Sequence, residues 1–538
     1  MSCCFSLSCL QSVLLLVSLS LFAFYKWATS TFDFFAKRNI PFDEPIPLLG
    51  NLGEIVFRKG TLFHIIRKLY TKYKKQRYFG RFNLRSPFFT ITDLELIKRI
   101  GVKDFLNFPN HSIIIDPEDE PLFGRSLFML KDQEWKDMRA TLSPAFTGNK
   151  LRQMLPLISK CCHNGCDYLK EGAARDGQVD MDINEFFIKF TIDMIATTAF
   201  GVEVNSLKDK DNEFYKISKG VVQNSFLTTM RMLLAVVCPK LMRFLGISVI
   251  DKKLTTYFRS LVLDTIKYRA EKGIIRPDMI NLLMQAQQGN VNPEEPEHDS
   301  NHGFAAVEES HFGLRSVNCK WSDEDIVAQC FLFFAAGFGT TSLVLSFCAY
   351  EIMANPDVQR KLNAEIDTTR KNLNGKPIIY EELQKMKYLD MVISEVLRKW
   401  APLGATERIC TKSYQIENED TGETVKIEAG DTIEFPIAGL HYDPEYWSDP
   451  EKFDPERFND ENRQKIKSFT YLPFGIGPRN CIGSRFALMV MKTIVYHLLS
   501  EFTLEKSTKT EIPLVLAPAG FQHSSKGGFW MTVKPREI

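Results

Sequence analysis

Residues 1–25 carry no charged side chain, and residues 13–25 are almost wholly apolar. An apolar run of that length can cross a bilayer as a helix. The first charges after it are Lys26, Lys37 and Arg38, and positive charge after a span keeps the following chain in the cytosol. A cleaved leader with a small-x-small site at 28–30 is the rival reading. It lacks the basic start such leaders have, so an uncleaved transmembrane anchor over 1–25 is expected. Pro41, Pro45 and Pro47 make 26–50 a stiff proline-containing linker. No further boundary shows, and 51–538 reads as one domain.

Beyond the linker, helical periodicity dominates. Helices are expected over 150–171, 181–200, 322–355, 356–370, 380–400 and 486–501. Short strands are expected over 88–92, 414–416, 425–427, 432–435 and 529–533. The fold class is therefore mainly α with small β-sheets. Ser322 and Asp325 form a capping-box pattern ahead of 326–350, which has no charge in 25 residues. That run suits a second membrane span or a core helix greasy on all sides. The one polar insertion, 285–320, reads as a surface loop whose His298, His302 and His311 are not a metal site.

Composition adds limits. Lys plus Arg number 67 and Asp plus Glu 66, a net charge of +1, so no nucleic-acid partner is expected. Apolar residues make up 44% of the chain, and its 42 phenylalanines suit apolar internal surfaces. The twelve cysteines are scattered, which fits a reducing compartment. Cys161, Cys162, His163 and Cys166 cluster, but no fourth ligand stands at zinc spacing, and they read as one side of a helix.

The chemistry concentrates at 474–483, Phe-Gly-Ile-Gly-Pro-Arg-Asn-Cys-Ile-Gly. Cys481 sits in a glycine-rich loop just before a helix, where N–H donors and the helix's positive end stabilise a thiolate. Glycines let backbone approach a large flat ligand. The segment is no dinucleotide loop, since the third glycine position is Asn480.

The pattern Phe474, Gly477, Arg479, Cys481, Gly483, Ala487 resembles the haem signature of cytochrome P-450 monooxygenases. Glu395-Val-Leu-Arg398 resembles the family's ExxR helix, Pro455-Glu-Arg457-Phe458 its next motif, and Trp135 with Arg139 its WxxxR helix. The likeness covers roughly 40–535 and places 322–355 as the long helix crossing the domain over the haem. It implies a single large helical haem-thiolate domain behind the anchor, with haem b as cofactor and Cys481 as iron ligand. Trp135, Arg139, Arg408 and Arg479 would meet the haem propionates. Phe474, Gly483, Ala487 and Ala336 would line the cofactor, and Thr340 would serve oxygen activation. Arg457 would complete a Glu–Arg–Arg network that locks the cysteine loop. Candidate pocket positions are Ile113–Ile115, Phe226, Phe334, Phe338, Leu403 and Phe521. Expected partners are NADPH–cytochrome reductase, with cytochrome b5 as a second donor, and the lipid bilayer. The reductase would dock by Lys136, Lys465, Lys467, Arg485 or Lys492. The microsomal, xenobiotic-metabolising subgroup is the nearest likeness. It implies small apolar substrates, an endoplasmic-reticulum membrane location and a cytosolic catalytic domain.

One position departs from the pattern. The family's Ala/Gly-Gly-x-Asp/Glu-Thr reads Ala336-Gly337-Phe338-Gly339-Thr340 here, with no acid. Asp325 and Glu351 are the nearest acids on that helix, about 20 Å away along its axis. Three functions stay open: a monooxygenase fed by water-borne protons, a peroxide-dependent or isomerase-type enzyme, and a haem protein that sequesters apolar compounds.

Overall fold

The computed structural model describes residues 2–537 except 113–115, 119, 210, 223–230, 232–233, 236–238, 288–302, 308–320, 418–421, 423, 519 and 521. Its longer helices are, in chain order, α1 (Ser2–Thr29), α2 (Leu62–Tyr73), α3 (Asp132–Leu142), α4 (Gly148–Ala173), α5 (Ile183–Ile195), α6 (Glu213–Val222), α7 (Lys252–Lys272), α8 (Asp323–Ala354), α9 (Pro356–Leu373), α10 (Lys387–Lys399) and α11 (Ser484–Glu501). The strands are β1 (Tyr78–Asn83), β2 (Ser86–Ile91), β3 (Val179–Asp182), β4 (Thr406–Ile409), β5 (Tyr414–Glu417), β6 (Thr424–Ile427), β7 (Thr432–Phe435), β8 (Phe502–Glu505) and β9 (Trp530–Pro535). The expected class, helical with small sheets, is what forms. The chain divides into two compact units interleaved in sequence.

The smaller unit comprises 1–108, 403–440 and 518–522. Its sheet runs β1-β2-β7-β4, with β2 and β7 parallel and the other pairs antiparallel, and β5-β6 form a separate hairpin. Strand β1 has no clean alternation because its middle four residues are all buried. Among them Arg81 is held by Glu434, whose Oε1 also accepts from Thr90 Oγ1 at 2.9 Å. Helix α1 is apolar over Cys9–Thr29 and stays exposed until its last turn, where Ala28 is buried, as a membrane anchor joined to a folded domain requires. The linker after it is built onto the sheet. Phe35 is fully buried, with its ring centroid 5.2 Å from those of both Phe82 and Phe89. Gly80 makes this possible, since a Cβ there would overlap the Phe35 ring.

The larger unit comprises 109–402, 441–517 and 523–538, and contains the antiparallel sheet β3-β9-β8. Its core helix is α8, which starts at the predicted capping box: Ser322 Oγ accepts from the Asp325 N–H, and Asp325 reaches back to the Ser322 N–H. Twenty-five uncharged residues give this helix no polar face. It is buried by α5, α7, α10 and α11 rather than by lipid. The region expected to be helical over 380–400 is broken at Met386, between Tyr380–Lys385 and α10.

Candidate functional site

The cysteine loop closes on itself. The Cys481 N–H donates to the Phe474 carbonyl at 2.9 Å, and α11 starts three residues later. Gly475 (φ 82°) and Gly477 (φ 65°) hold left-handed backbone that a side chain would strain. Pro478, Arg479, Asn480 and Ser484 around the cysteine are buried, yet the Cys481 side chain itself is accessible. Protein packed around the loop still desolvates the thiol and pushes its pKa above the ordinary thiol value, against the opposing pull of the Gly483 N–H and the Arg139 charge.

Trp135 and Arg139 lie one turn apart on α3 and are both buried. Arg139 donates to the Asn480 carbonyl and to Asn480 Oδ1, each at 2.8 Å, and so grips the residue before the cysteine. Arg479 stacks over the Trp135 ring at 4.1 Å and donates to the carbonyls of Pro109 (2.7 Å) and Leu130 (2.7 Å). Trp135, Arg139, Arg479 and Cys481 are thus one assembly. Phe474, Gly483 and Ala487 flank it, each half-buried.

Over 332–343 helix α8 has a broad, partly accessible stripe in an otherwise buried middle: Leu332, Phe333, Ala335, Ala336, Gly337, Gly339, Thr340 and Leu343, with Ala336 the most exposed. Phe146 ties this stripe to the cysteine loop. Its ring centroid is 5.4 Å from that of Phe333, and its edge lies 3.7 Å from where a Gly483 Cβ would stand. Phe334 and Phe338, expected to line a pocket, are instead core. Both are fully buried, and Phe334 packs against Phe200, Phe214 and Phe258. Leu403 lies in the smaller unit and is exposed, whereas 113–115, Phe226 and Phe521 fall outside the described residues.

Thr340 Oγ1 donates to the Ala336 carbonyl at 2.6 Å, and Ser342 Oγ donates to that of Gly339 at 3.1 Å. Helix α8 runs unbroken through Gly337 and Gly339. Gly337 serves close packing, because a Cβ there would lie 2.6 Å from the Ile195 side-chain end on α5. Neither neighbouring acid is available at Gly339. Asp325 caps the helix, and Glu351 accepts from Trp400 Nε1 (2.8 Å) and pairs with Lys399 (2.8 Å).

Beneath the loop, Glu395 and Arg398 form a bidentate pair at 2.7 and 2.9 Å, both fully buried. Arg457 Nε (3.3 Å) and the Asp454 N–H (3.0 Å) also donate to Glu395. Two residues that motif reading missed join this network to the cysteine loop. Tyr471 donates its hydroxyl to the Ser394 carbonyl at 2.8 Å. His441 Nδ1 stands 3.0 Å from the Arg398 carbonyl, and its Nε2 accepts from the Leu472 N–H at 2.8 Å. A carbonyl on one side and an N–H on the other dictate a neutral ring with the proton on Nδ1. Nothing near His441 in sequence signals this, since its partners are 31 and 43 residues away.

Burial, aided by the Arg398 charge, pushes His441 down to about 3. Between about pH 3 and the ordinary value of 6.5 the unfolded chain binds a proton that the folded chain excludes, so stability must rise with pH there. Asp193, pushed up to about 7 by burial, acts in the opposite sense. The His441 share is therefore read by difference. Native stability should rise about 1.4 kcal/mol per pH unit more steeply than that of His441→Asn across this window. Parallel urea-denaturation profiles would refute the assignment.

Arg408 lies on β4 of the smaller unit, fully buried. It donates to Thr406 Oγ1 at 3.2 Å, and burial lowers its pKa to about 10. Of the expected docking charges, Lys465 and Lys467 are exposed. Lys492 is not, being fully buried and 2.8 Å from Asp390. A helix position alone did not reveal that inward turn. Among the described residues no His/Cys/Asp/Glu group is arranged to hold a metal ion by itself.

Residues 40–530 match the family model described as Cytochrome P450. The chain is 44% identical over 520 residues to the probable cytochrome P450 9f2 of Drosophila melanogaster, covering 95% of this chain and 97% of that one. It is 41% identical over 525 residues to cytochrome P450 9e2 of Blattella germanica (95% and 96% covered). It is 33% identical over 524 residues to cytochrome P450 6k1 of the same species (97% of each).

Proposed function

Because the chain belongs to the cytochrome P450 family, we propose that Cys481 is the sole protein ligand to the iron of its haem b. The protein is a haem-thiolate monooxygenase that draws electrons from a reductase. The observation that carries the ligand assignment is an accessible thiol on a glycine-hinged loop, flanked by the buried Pro478, Arg479, Asn480 and Ser484. The residues present fit the group. The thiol is accessible, the face of α8 over 332–343 is partly accessible and mostly apolar, and Phe146 connects the two. When bound, the haem supplies the oxidation, and thiolate ligation favours O–O cleavage. The chain's own residues hold the loop, exclude water and orient the substrate.

Arg139 and Arg479 hold the backbone around Cys481 in register, and Trp135 backs Arg479. Arg139 and Arg479 would be carboxylate partners for the cofactor's propionates, a role that the family resemblance gives Arg408 as well. Desolvation at Arg408 is what an approaching carboxylate would relieve. Ala336, Phe474, Gly483 and Ala487 would line the cofactor, and Thr340 would handle protons at the accessible stripe. The substrates are small apolar molecules, xenobiotics and insecticides among them. The reductase is the NADPH–cytochrome reductase, with cytochrome b5 as a second donor. It docks by Lys136, Lys465, Lys467 and Arg485, without Lys492. The anchor places the domains of 51–538 on the cytosolic face of the endoplasmic reticulum. Cys481→Ala should abolish the thiolate-type absorbance of the reduced carbon monoxide complex. A variant that keeps that spectrum overturns the ligand assignment.

A second membrane contact follows from the segment 230–250. Its described helix, Pro239–Leu245, leaves Leu241, Phe244 and Leu245 exposed, Phe244 by 86%, with Lys240 and Arg243 beside them. Such a surface suits a lipid interface. A chain lacking residues 1–25 should stay folded, load haem and remain partly on membranes. Complete release by low salt without detergent would count against this contact.

A further inference from the structure

Within the polar insertion that precedes α8, Gly303–Val307 are described, and they pack on neighbouring parts of the larger unit. The Ala306 N–H donates to the Gly303 carbonyl at 3.2 Å, making a turn. The Phe304 N–H donates to Asp390 Oδ2 at 2.9 Å. The other carboxylate oxygen of Asp390 lies 2.8 Å from Lys492 Nζ, an ion pair by distance, and Lys492 also donates to Gln384 Oε1 at 3.2 Å. Gly303 sits directly on this pair with φ 88°. A Cβ there would stand 2.3 Å from Asp390 Oδ1 and 3.2 Å from Lys492 Nζ. Only glycine satisfies both the backbone and the space.

Docking inserts one aromatic ring. Phe304 lies 5.1 Å from Phe458 and 5.6 Å from Tyr471, centroid to centroid, and packs on the buried cluster of Met391, Trp447 and Phe458. Ala305 behind it is buried. These partners are not incidental. Phe458 closes the turn that carries Arg457, and Tyr471 stacks on His441 with centroids 5.5 Å apart. Tyr471 also bonds α10 through its hydroxyl and directly precedes Leu472, where the cysteine loop begins. A buried polar network keeps its geometry only where packing fixes its members.

We infer that the Gly303–Ala306 turn is a clasp, and that Phe304 is a positioning residue for the cysteine loop, acting through Tyr471 and Phe458. Its consequence for iron ligation rests on the reading of Cys481 as ligand, whereas its consequence for the loop does not. The insertion therefore has a working part: two residues whose side-chain size is set by the Asp390–Lys492 pair and the aromatic cluster.

The test uses the full-length haem-loaded enzyme with Phe304→Ala, Phe304→Leu and Gly303→Val. The first readout is amide hydrogen exchange, by mass spectrometry, of peptides covering 469–483 against peptides covering β3 and β9. The second is the rate at which the reduced carbon monoxide complex loses its thiolate-type band on mild warming. Phe304→Ala and Gly303→Val should each raise exchange at 469–483 and speed band loss about tenfold or more, as expected when a large packed side chain is withdrawn. Exchange in β3 and β9 should stay native, and Phe304→Leu should recover most of both effects. Should Gly303→Val fail to load haem, the graded Phe304 pair still decides the question. Unchanged exchange at 469–483 in Phe304→Ala overturns the clasp, as does a uniform rise across all peptides. If Cys481→Ala keeps its thiolate band, the ligand assignment falls but the exchange result still stands for the clasp.

Discussion

Glu395→Ala should yield a protein that no longer retains haem in its thiolate-ligated form. Glu395 is fully buried and accepts from Arg398, Arg457 and the Asp454 N–H. Removing it strands the buried Arg398 guanidinium, and breaking a buried pair in this one-sided way costs about 3–5 kcal/mol. The loss would not stay local. Arg398 also donates to the carbonyls of His441 (2.8 Å) and Pro450 (2.9 Å), and His441 carries the Leu472 N–H at the head of the cysteine loop. Glu395→Gln, which keeps the shape and loses the charge, should fall between. The checks are haem content per mole of protein and the urea midpoint. A Glu395→Ala protein with native values of both would show that the network does not hold the loop.

Gly339→Glu should raise product formed per NADPH consumed and lower hydrogen peroxide release, with folding and haem content unchanged. In the native chain the Thr340 hydroxyl is committed to the Ala336 carbonyl, and that of Ser342 to the Gly339 carbonyl. Asp325 and Glu351 are committed to a cap and to Trp400 and Lys399. No carboxylate on this helix is left to relay protons at the accessible stripe. A positioned general acid–base group typically contributes about 10²–10⁴-fold, which is the upper bound on the gain. The substitution should also favour the helix by about 1 kcal/mol, because glycine is a poor helix former. Hydrogen peroxide supplied directly should support partial turnover by the native protein without NADPH. Tight coupling in the native protein, with the same coupling in the Gly339→Glu variant, would mean that water alone carries the protons.

Much of the machinery was legible along the chain because its signals are local. The capping box at Ser322 is read from spacing alone, whereas the cysteine loop and the Glu395–Arg398 pair, each a few residues long, are read through their resemblance to the family's motifs. Strands β5, β6 and β7 likewise fall where their short apolar runs lie. By contrast, β1 went unread because both its faces are covered and a buried Arg81 breaks its pattern.

Helix α8 marks the limit of such reading. A helix apolar on every side has no moment, so periodicity cannot say which face meets a core and which meets a site. Phe334 and Phe338 therefore read as pocket candidates, although the packing of α5 and α7 buries both. Lys492 and Gly303 follow the same rule, since each takes its role from a partner far away in sequence. His441 and Tyr471 are the plainest cases. A lone histidine and a lone tyrosine carry no signal, and only tertiary contact sets them between α10 and the cysteine loop. Short local motifs, read through their resemblance to the family, pointed to the residues that carry the chemistry. What holds those atoms in place was settled by the folded chain alone, because buried hydrogen bonds and ring contacts join residues that lie far apart along it.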